Sequence, residues 1–159
     1  MIKFSQYLDE KKLLDEGLGS ISIDSGNRIL INGEGINLTR LTKEGVLEII
    51  DYDPIKNIIL AIGKIEPCIQ TPIHWMIQRA RHDVHAVVIL ESKKLLEYPV
   101  IKETPITERD YQEGSLDLVK EVLKTLRTGR IIRIMDREVL LVGMSLREIT
   151  SMLNDIIKK

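Results

Sequence analysis

The sequence predicts an α/β fold with three layers, α/β/α, around a central and mostly antiparallel sheet, within one domain spanning residues 1–159. Three observations carry that prediction. Short β-branched runs separated by turn residues fill most of the first half, and amphipathic helix patterns fill much of the second. No repeat, low-complexity tract or linker composition divides the chain, and 159 residues with 43% hydrophobic content suit one sizeable core.

In chain order, Ser5 is placed to cap a helix running to about Glu16, with Phe4, Leu8, Leu13 and Leu14 as apolar contacts and Gly17 as a left-handed stop. Ile21 to Ile23 and Arg28 to Ile31 flank Asp24-Ser25-Gly26-Asn27, which has the chemistry of a hairpin loop. Gly33-Glu34-Gly35 is a tight connection, and Leu41-Thr42 opens a short helical turn that Gly45 weakens. Leu47 to Tyr52 and Ile58 to Ile62 form two further strands around Asp53-Pro54.

Thr71 is a good N-cap and Pro72 fits the first helical position, so a helix starts there, with Ile73, Ile77 and Ala80 on its buried face and Met76 beside them. After a turn at His82-Asp83, Val84 to Leu90 is short, apolar and β-branched, the pattern of an interior strand. Ser115 starts an amphipathic helix bearing Leu116, Val119, Leu123 and Leu126, which Gly129 ends. Arg130 to Met135 and Glu138 to Val142 read as a hairpin through Asp136-Arg137. Ser145 and Glu148 then form a capping box for a last helix whose core face is Leu146, Ile149, Met152, Leu153 and Ile156.

Composition removes several function classes. A formal net charge of −1 with few aromatics opposes a general nucleic-acid surface. No apolar run approaches roughly 18 residues and Met1 to Ser5 lacks a signal-peptide core, so no membrane association is expected and the expected location is cytoplasmic. A single cysteine forbids an internal disulfide. The abundance of Ile, Glu, Lys and Arg matches thermophile usage.

The most informative stretch is Pro67-Cys68-Ile69-Gln70-Thr71-Pro72-Ile73-His74, running through Arg79-Ala80-Arg81-His82-Asp83-Val84-His85-Ala86-Val87-Val88 to Ile89-Leu90-Glu91. It resembles the core signature of the class II aldolase and adducin family, which reads approximately Pro-Ser-Ser-Glu-Thr-Pro-x-His, then Arg-Ala-Arg-Pro-Asp-Val-x-Ala-Val-Val, and closes in His-x-His. Gly19-Ser20-Ile21-Ser22-Ile23, the run Ile29 to Ile36, Tyr111-Gln112-Glu113-Gly114-Ser115 and Val139-Leu140-Leu141-Val142-Gly143 resemble further family motifs in the same order. The departure is Ser92 to Asp110, much shorter than the family's corresponding segment, which implies that part of the usual active-site wall is missing. The resemblance also implies a homo-oligomer, a dimer or a cyclic tetramer.

What the resemblance implies for chemistry is a loss. The family's zinc rests on three imidazoles and stabilises an enediolate-like intermediate. The first two ligand positions here carry Ile89 and Glu91, and the third aligns with Arg137, a set that cannot supply the three donors a catalytic zinc needs. Gln70 stands where the family's proton-moving glutamate would, and an amide cannot carry a proton through a cycle near neutral pH. The phosphate cradle becomes Gly19-Ser20, Glu34-Gly35 and Cys68-Ile69, in which Glu34 repels a phosphate and Ile69 offers no donor.

The expected pocket is therefore Ser20, Glu34, Gly35, Cys68, Ile69, Gln70, Ile89, Glu91 and Arg137, with no catalytic residue, metal or cofactor. Two functions fit. One is a non-catalytic binding or assembly module. The other is a metal-independent enzyme or sensor that uses Glu91, Arg137 and Gln70 on a small carbonyl or a small anionic ligand such as a carboxylate. Other groups have plainer readings. His74, His82 and His85 do not meet metal spacing. Cys68 beside His74 is more in keeping with a buried, inert thiol than a nucleophile. Arg127, Arg130, Arg133 and Arg137 fit a salt-bridged hairpin face, and Trp75 fits packing.

Overall fold

The structure is a computed structural model that describes residues 1–158. Its centre is a seven-stranded antiparallel sheet built from β1 (Gly19–Ser25), β2 (Arg28–Asn32), β3 (Val46–Asp53), β4 (Ile58–Ile62), β5 (Ala86–Glu91), β6 (Ile131–Ile134) and β7 (Glu138–Gly143), in the order β4-β3-β2-β1-β5-β7-β6. Short hairpins link β1 to β2, β3 to β4 and β6 to β7, while β5 is inserted between β1 and β7. The two strands buried most completely, β5 and β7, sit next to each other, and both read in sequence as continuous apolar runs.

Helices cover both faces, as the three-layer expectation requires. On one face, α2 (Thr71–Ala80) and α5 (Leu116–Leu126) pack over β5, β6 and β7 through Ile73, Ile77, Val119, Val122 and Leu126 against Val87, Ile89, Leu140 and Val142. A neighbouring cluster on the same face seats Trp75 on Ile29, Ile31, Leu47, Ile49 and Tyr52, with the Arg79 guanidinium 4.1 Å from the indole ring. On the other face, α1 (Ile2–Glu10), the short helices α3 (Lys93–Leu96) and α4 (Pro99–Lys102), and α6 (Leu146–Lys158) bury Ile21, Val88, Leu90, Val139 and Leu141. The segment 92–110 thus folds as two one-turn helices, with Ser92 capping the first by accepting from Leu95 N at 3.1 Å.

Several boundaries differ from the sequence expectation. The first helix ends at Glu10 rather than near Glu16, because Lys12 already adopts a left-handed φ of 54°. Ser5 lies inside that helix and is buried, its hydroxyl donating to Leu38 O instead of capping. Thr71 is the first helical residue and donates to Cys68 O at 2.7 Å. The core face of α5 is Leu118, Val119, Val122 and Leu126, with Leu116 and Leu123 half-buried beside it. At α6, Ser145 Oγ accepts from Glu148 N at 3.1 Å, but Glu148 reaches back to Met144 N at 2.9 Å, one residue earlier than a capping box would. No helix among the described residues is long and apolar enough to cross a membrane.

Candidate functional site

The site forms where the ends of β1, β5 and β7 meet the loops before β3 and before α2. Gly19 opens β1 so close to β5 that a Cβ there would collide with Ile89 O, which brings the two backbones into tight register. Asn32 at the end of β2 fastens the same point: its Oδ1 accepts from Ile21 N at 2.7 Å and its Nδ2 donates to Gly19 O at 3.3 Å. Gly33 bridges to Pro67, and Glu34 Oε2 accepts from Ile69 N at 2.7 Å, so the two loops are tied together across the mouth. Between them lies a cavity of about 260 Å³.

Of the residues expected at the pocket, Glu34, Gly35, Cys68, Ile69, Gln70 and Glu91 line this cavity together. Ser20 lies beneath it, fully buried and bonded to Gln70. Ile89 is not at the cavity: it is fully buried in the apolar cluster under α2 and α5. Arg137 is exposed and does not line the cavity either. The neighbouring Glu138 does, because β7 begins there and its register places Glu138 opposite Glu91 on β5. Glu16 and Glu113 complete a lining with five carboxylates and no Lys or Arg. That lining opposes the small anionic ligand the sequence had pointed to, since charges of one sign in a partly enclosed site repel an anion.

Gln70 joins the cavity to a buried polar chain. Its Nε2 donates to Glu138 Oε2, and its Oε1 accepts from Ser20 Oγ at 2.5 Å. With its only proton used there, Ser20 accepts from His74 Nε2 at 2.6 Å. The ring is then the Nε2–H tautomer, so Nδ1 accepts from Ser22 Oγ at 2.7 Å, and Ser22 in turn accepts from Gln78 Nε2 at 2.8 Å. Donor counting therefore gives one direction to every bond from Gln78 to Glu138. His74 is fully buried, and that burial pushes its pKa down to about 3, which keeps the ring neutral as the chain requires. Burial pushes Glu138 the other way, up to about 7, with Glu113 and Glu91 adding to the rise and the Gln70 hydrogen bond and Arg137 opposing it.

The remaining reactive groups are spoken for. Burial pushes the Cys68 thiol up to about 11, its sulfur lies 3.5 Å from Thr71 Oγ1, and both ring nitrogens of His74 are bonded to serines, so no thiolate–imidazole pair exists. His85 Nδ1 meets Asp24 Oδ2 at 2.9 Å near the far end of β1. Arg130 pairs with Glu148, and Arg133 pairs with Asp136 at 3.4 Å and donates to Thr104 O at 2.9 Å. The zinc site of the resembled family does not fit here. Ile89 has no donor atom, Glu91 and Glu138 supply two carboxylates, and among the described residues no group of three or more His, Cys, Asp or Glu side chains is arranged to hold a metal.

Sequence reasoning missed Glu138, Glu113, Glu16 and the His74 chain. A signal existed for two of these: Ser20 and Ser22 are alternate polar residues on one face of an interior strand, and Glu138 shares the face of Leu140 and Val142. A polar residue on a buried face needs partners, and the partners are this site.

The comparisons with known proteins agree with this fold. The model of the Class II Aldolase and Adducin N-terminal domain family matches residues 1–143, and the chain belongs to that family. It superposes on an L-fuculose 1-phosphate aldolase with a TM-score of 0.74 at 16% identity, covering 94% of this chain and 79% of that one. The L-fuculose-1-phosphate aldolase from Thermus thermophilus gives 0.70 at 16% identity over 99% and 89% of the two chains. The N-terminal class II aldolase domain of a conserved protein from Thermoplasma acidophilum gives 0.71 at 15% identity over 99% and 88%. At these identities the likeness is one of fold. No curated protein sequence matches the chain.

Proposed function

We propose that this chain is a class II aldolase-fold module that binds or assembles rather than carrying out metal-dependent carbon–carbon cleavage. The observation that carries the reading is the set of three positions that the resemblance assigns to zinc-holding imidazoles: Ile89 is an aliphatic side chain in the core, Glu91 is a carboxylate facing Glu138, and Arg137 is an exposed guanidinium outside the cavity lining. Gln70 supports it, because its amide is bonded on both sides and serves as a connector between Ser20 and Glu138 rather than a proton carrier. The five-carboxylate lining favours a neutral polar ligand or a cation over a phosphate. The same reading has the chain acting as a homo-oligomer in the cytoplasm. Metal analysis of the purified protein tests it: far less than one equivalent of transition metal is expected, and one tightly held zinc per chain overturns it.

One observation favours a second reading, a metal-independent enzyme or sensor for a small carbonyl ligand. Glu138 is a buried carboxyl held near neutrality at the wall of a cavity, the condition in which a carboxyl can move a proton. A thermal-shift screen with aldehydes, sugars, keto acids and sugar phosphates separates the two: saturable stabilisation that Glu138→Gln abolishes favours the second, and its absence favours the first.

A further inference from the structure

The two edges of the sheet are treated differently. At the β6 edge the chain closes the ladder on itself: Arg133 N donates to Pro105 O at 2.8 Å, Thr107 N donates to Arg133 O at 3.1 Å, and Ile106 bridges to Arg133. At the β4 edge nothing does so. Among the described residues no backbone hydrogen bond reaches residues 58–62 from any segment other than β3. An open edge is a template for another strand, and natural sheets blunt such edges with charge, proline or a covering segment. From Ile58 to Ile62, β4 carries no charged residue and no proline.

The face of β4 is also bare. Ile59 and Ala61 pack into the Trp75 cluster on the α2 side, so Ile58, Leu60 and Ile62 share the opposite face. Neither β3 nor β4 contributes to the cluster formed under α1, α3, α4 and α6. The three side chains remain 57%, 56% and 55% exposed, an apolar stripe on one edge strand with Ile55 92% exposed in the adjoining turn.

We infer that β4 is a self-pairing strand, joining a second copy of this chain antiparallel across a two-fold axis through Leu60. The strand is self-complementary about that residue. In this register Leu60 meets Leu60 of the second copy and Ile58 meets Ile62 of the second copy twice, all on the bare face, while Ile59 meets Ala61 of the second copy on the other face. Shifting the axis to Ile59 sets Lys56 opposite Ile62, and shifting it to Ala61 sets Lys64 opposite Ile58, so of these three axes only Leu60 pairs all three apolar side chains of the bare face with apolar partners. In that register Lys56 stands opposite Lys64 of the second copy, outside the paired segment, where both are exposed and their long side chains can splay apart into water. This inference deepens the assembly part of the proposed function by naming its surface.

The test uses the full chain. Sedimentation and light scattering are expected to give twice the chain mass or an even multiple of it, and Leu60→Lys is expected to halve that mass with an unchanged far-ultraviolet circular dichroism spectrum. Cysteine pairing reads the register. Under mild oxidation Leu60→Cys should cross-link to itself, whereas Ile58→Cys and Ile62→Cys should cross-link when mixed and not when alone. A single-chain mass for the wild type, an undiminished mass for Leu60→Lys, or no Leu60→Cys cross-link overturns the inference. Metal content measured on the same samples keeps this outcome separate from the binding-module reading, since either can fail while the other stands.

Discussion

Gln70, at the entrance to α2, donates from its amide to the carboxylate of Glu138, the first residue of β7. That bond fastens the cavity wall to a chain of buried hydrogen bonds passing through Ser20, His74 and Ser22 to Gln78. A satisfied polar network of this kind fixes side-chain geometry, and its cost appears when one member changes charge or is removed.

Glu138 makes stability depend on pH. Its carboxyl is raised from the ordinary 4.5 to about 7, so across that window the folded chain keeps a proton that the unfolded chain releases. Stability therefore falls as pH rises from 4.5 to 7, by at most about 3 kcal/mol, and is level above it. Glu138→Gln, which can still accept from Gln70, is expected to be more stable than the wild type above neutrality and to lose this slope in urea-unfolding series.

His74 acts with the opposite sign. Its pKa is lowered from 6.5 to about 3, so the unfolded chain takes up a proton that the folded chain refuses, and stability falls as pH drops through that range. Between 4.5 and 6.5 the two effects partly cancel. Acid unfolding followed in Glu138→Gln should expose the His74 slope without the opposing Glu138 slope. A profile that stays flat in that variant would contradict the neutral, fully buried ring.

Ser20→Ala removes one hydroxyl and leaves Gln70 Oε1 and His74 Nε2–H without partners. The loss should be about 1–3 kcal/mol, the range for orphaned buried polar groups, with little change in fold. Denaturant midpoints measured against Ser25→Ala, an exposed position on the same strand, provide the control.

Replacing Ile89, Glu91 and Glu138 together by His should create a three-imidazole site. Positions 89 and 91 are alternate residues of β5, and 138 faces 91 across the strand pair. Cobalt titration should show a tetrahedral spectrum for this variant. A control carrying His at 89, 91 and 137 should show none, because Arg137 sits in the exposed turn before β7 and pairs with neither Ile89 nor Glu91.

That control also marks where the sequence stopped being legible. The strands, the last two long helices and the family were readable because β-branched runs, turn residues and helical spacing are local signals. The site was readable at Glu34, Gln70 and Glu91, which sit inside contiguous motifs. Arg137 is exposed outside the lining and its neighbour Glu138 faces Glu91, a difference of one residue that only the β5–β7 register decides. The reach of the first helix was overestimated because Gly17 stands out in sequence, whereas the chain already turns at Lys12 and Gly17 instead abuts the Asn37 side chain. The carboxylate-rich lining was invisible because Glu16, Glu113 and Glu138 come from three distant segments.

The most direct measurement is a cleavage assay on the purified chain with sugar phosphates and short aldehydes, run as isolated, after chelation, and with added zinc, cobalt or manganese. No carbon–carbon cleavage or condensation above the uncatalysed rate is expected under any of these conditions. Turnover that disappears on chelation, returns with metal and is lost in Glu91→Gln or Glu138→Gln would contradict the account.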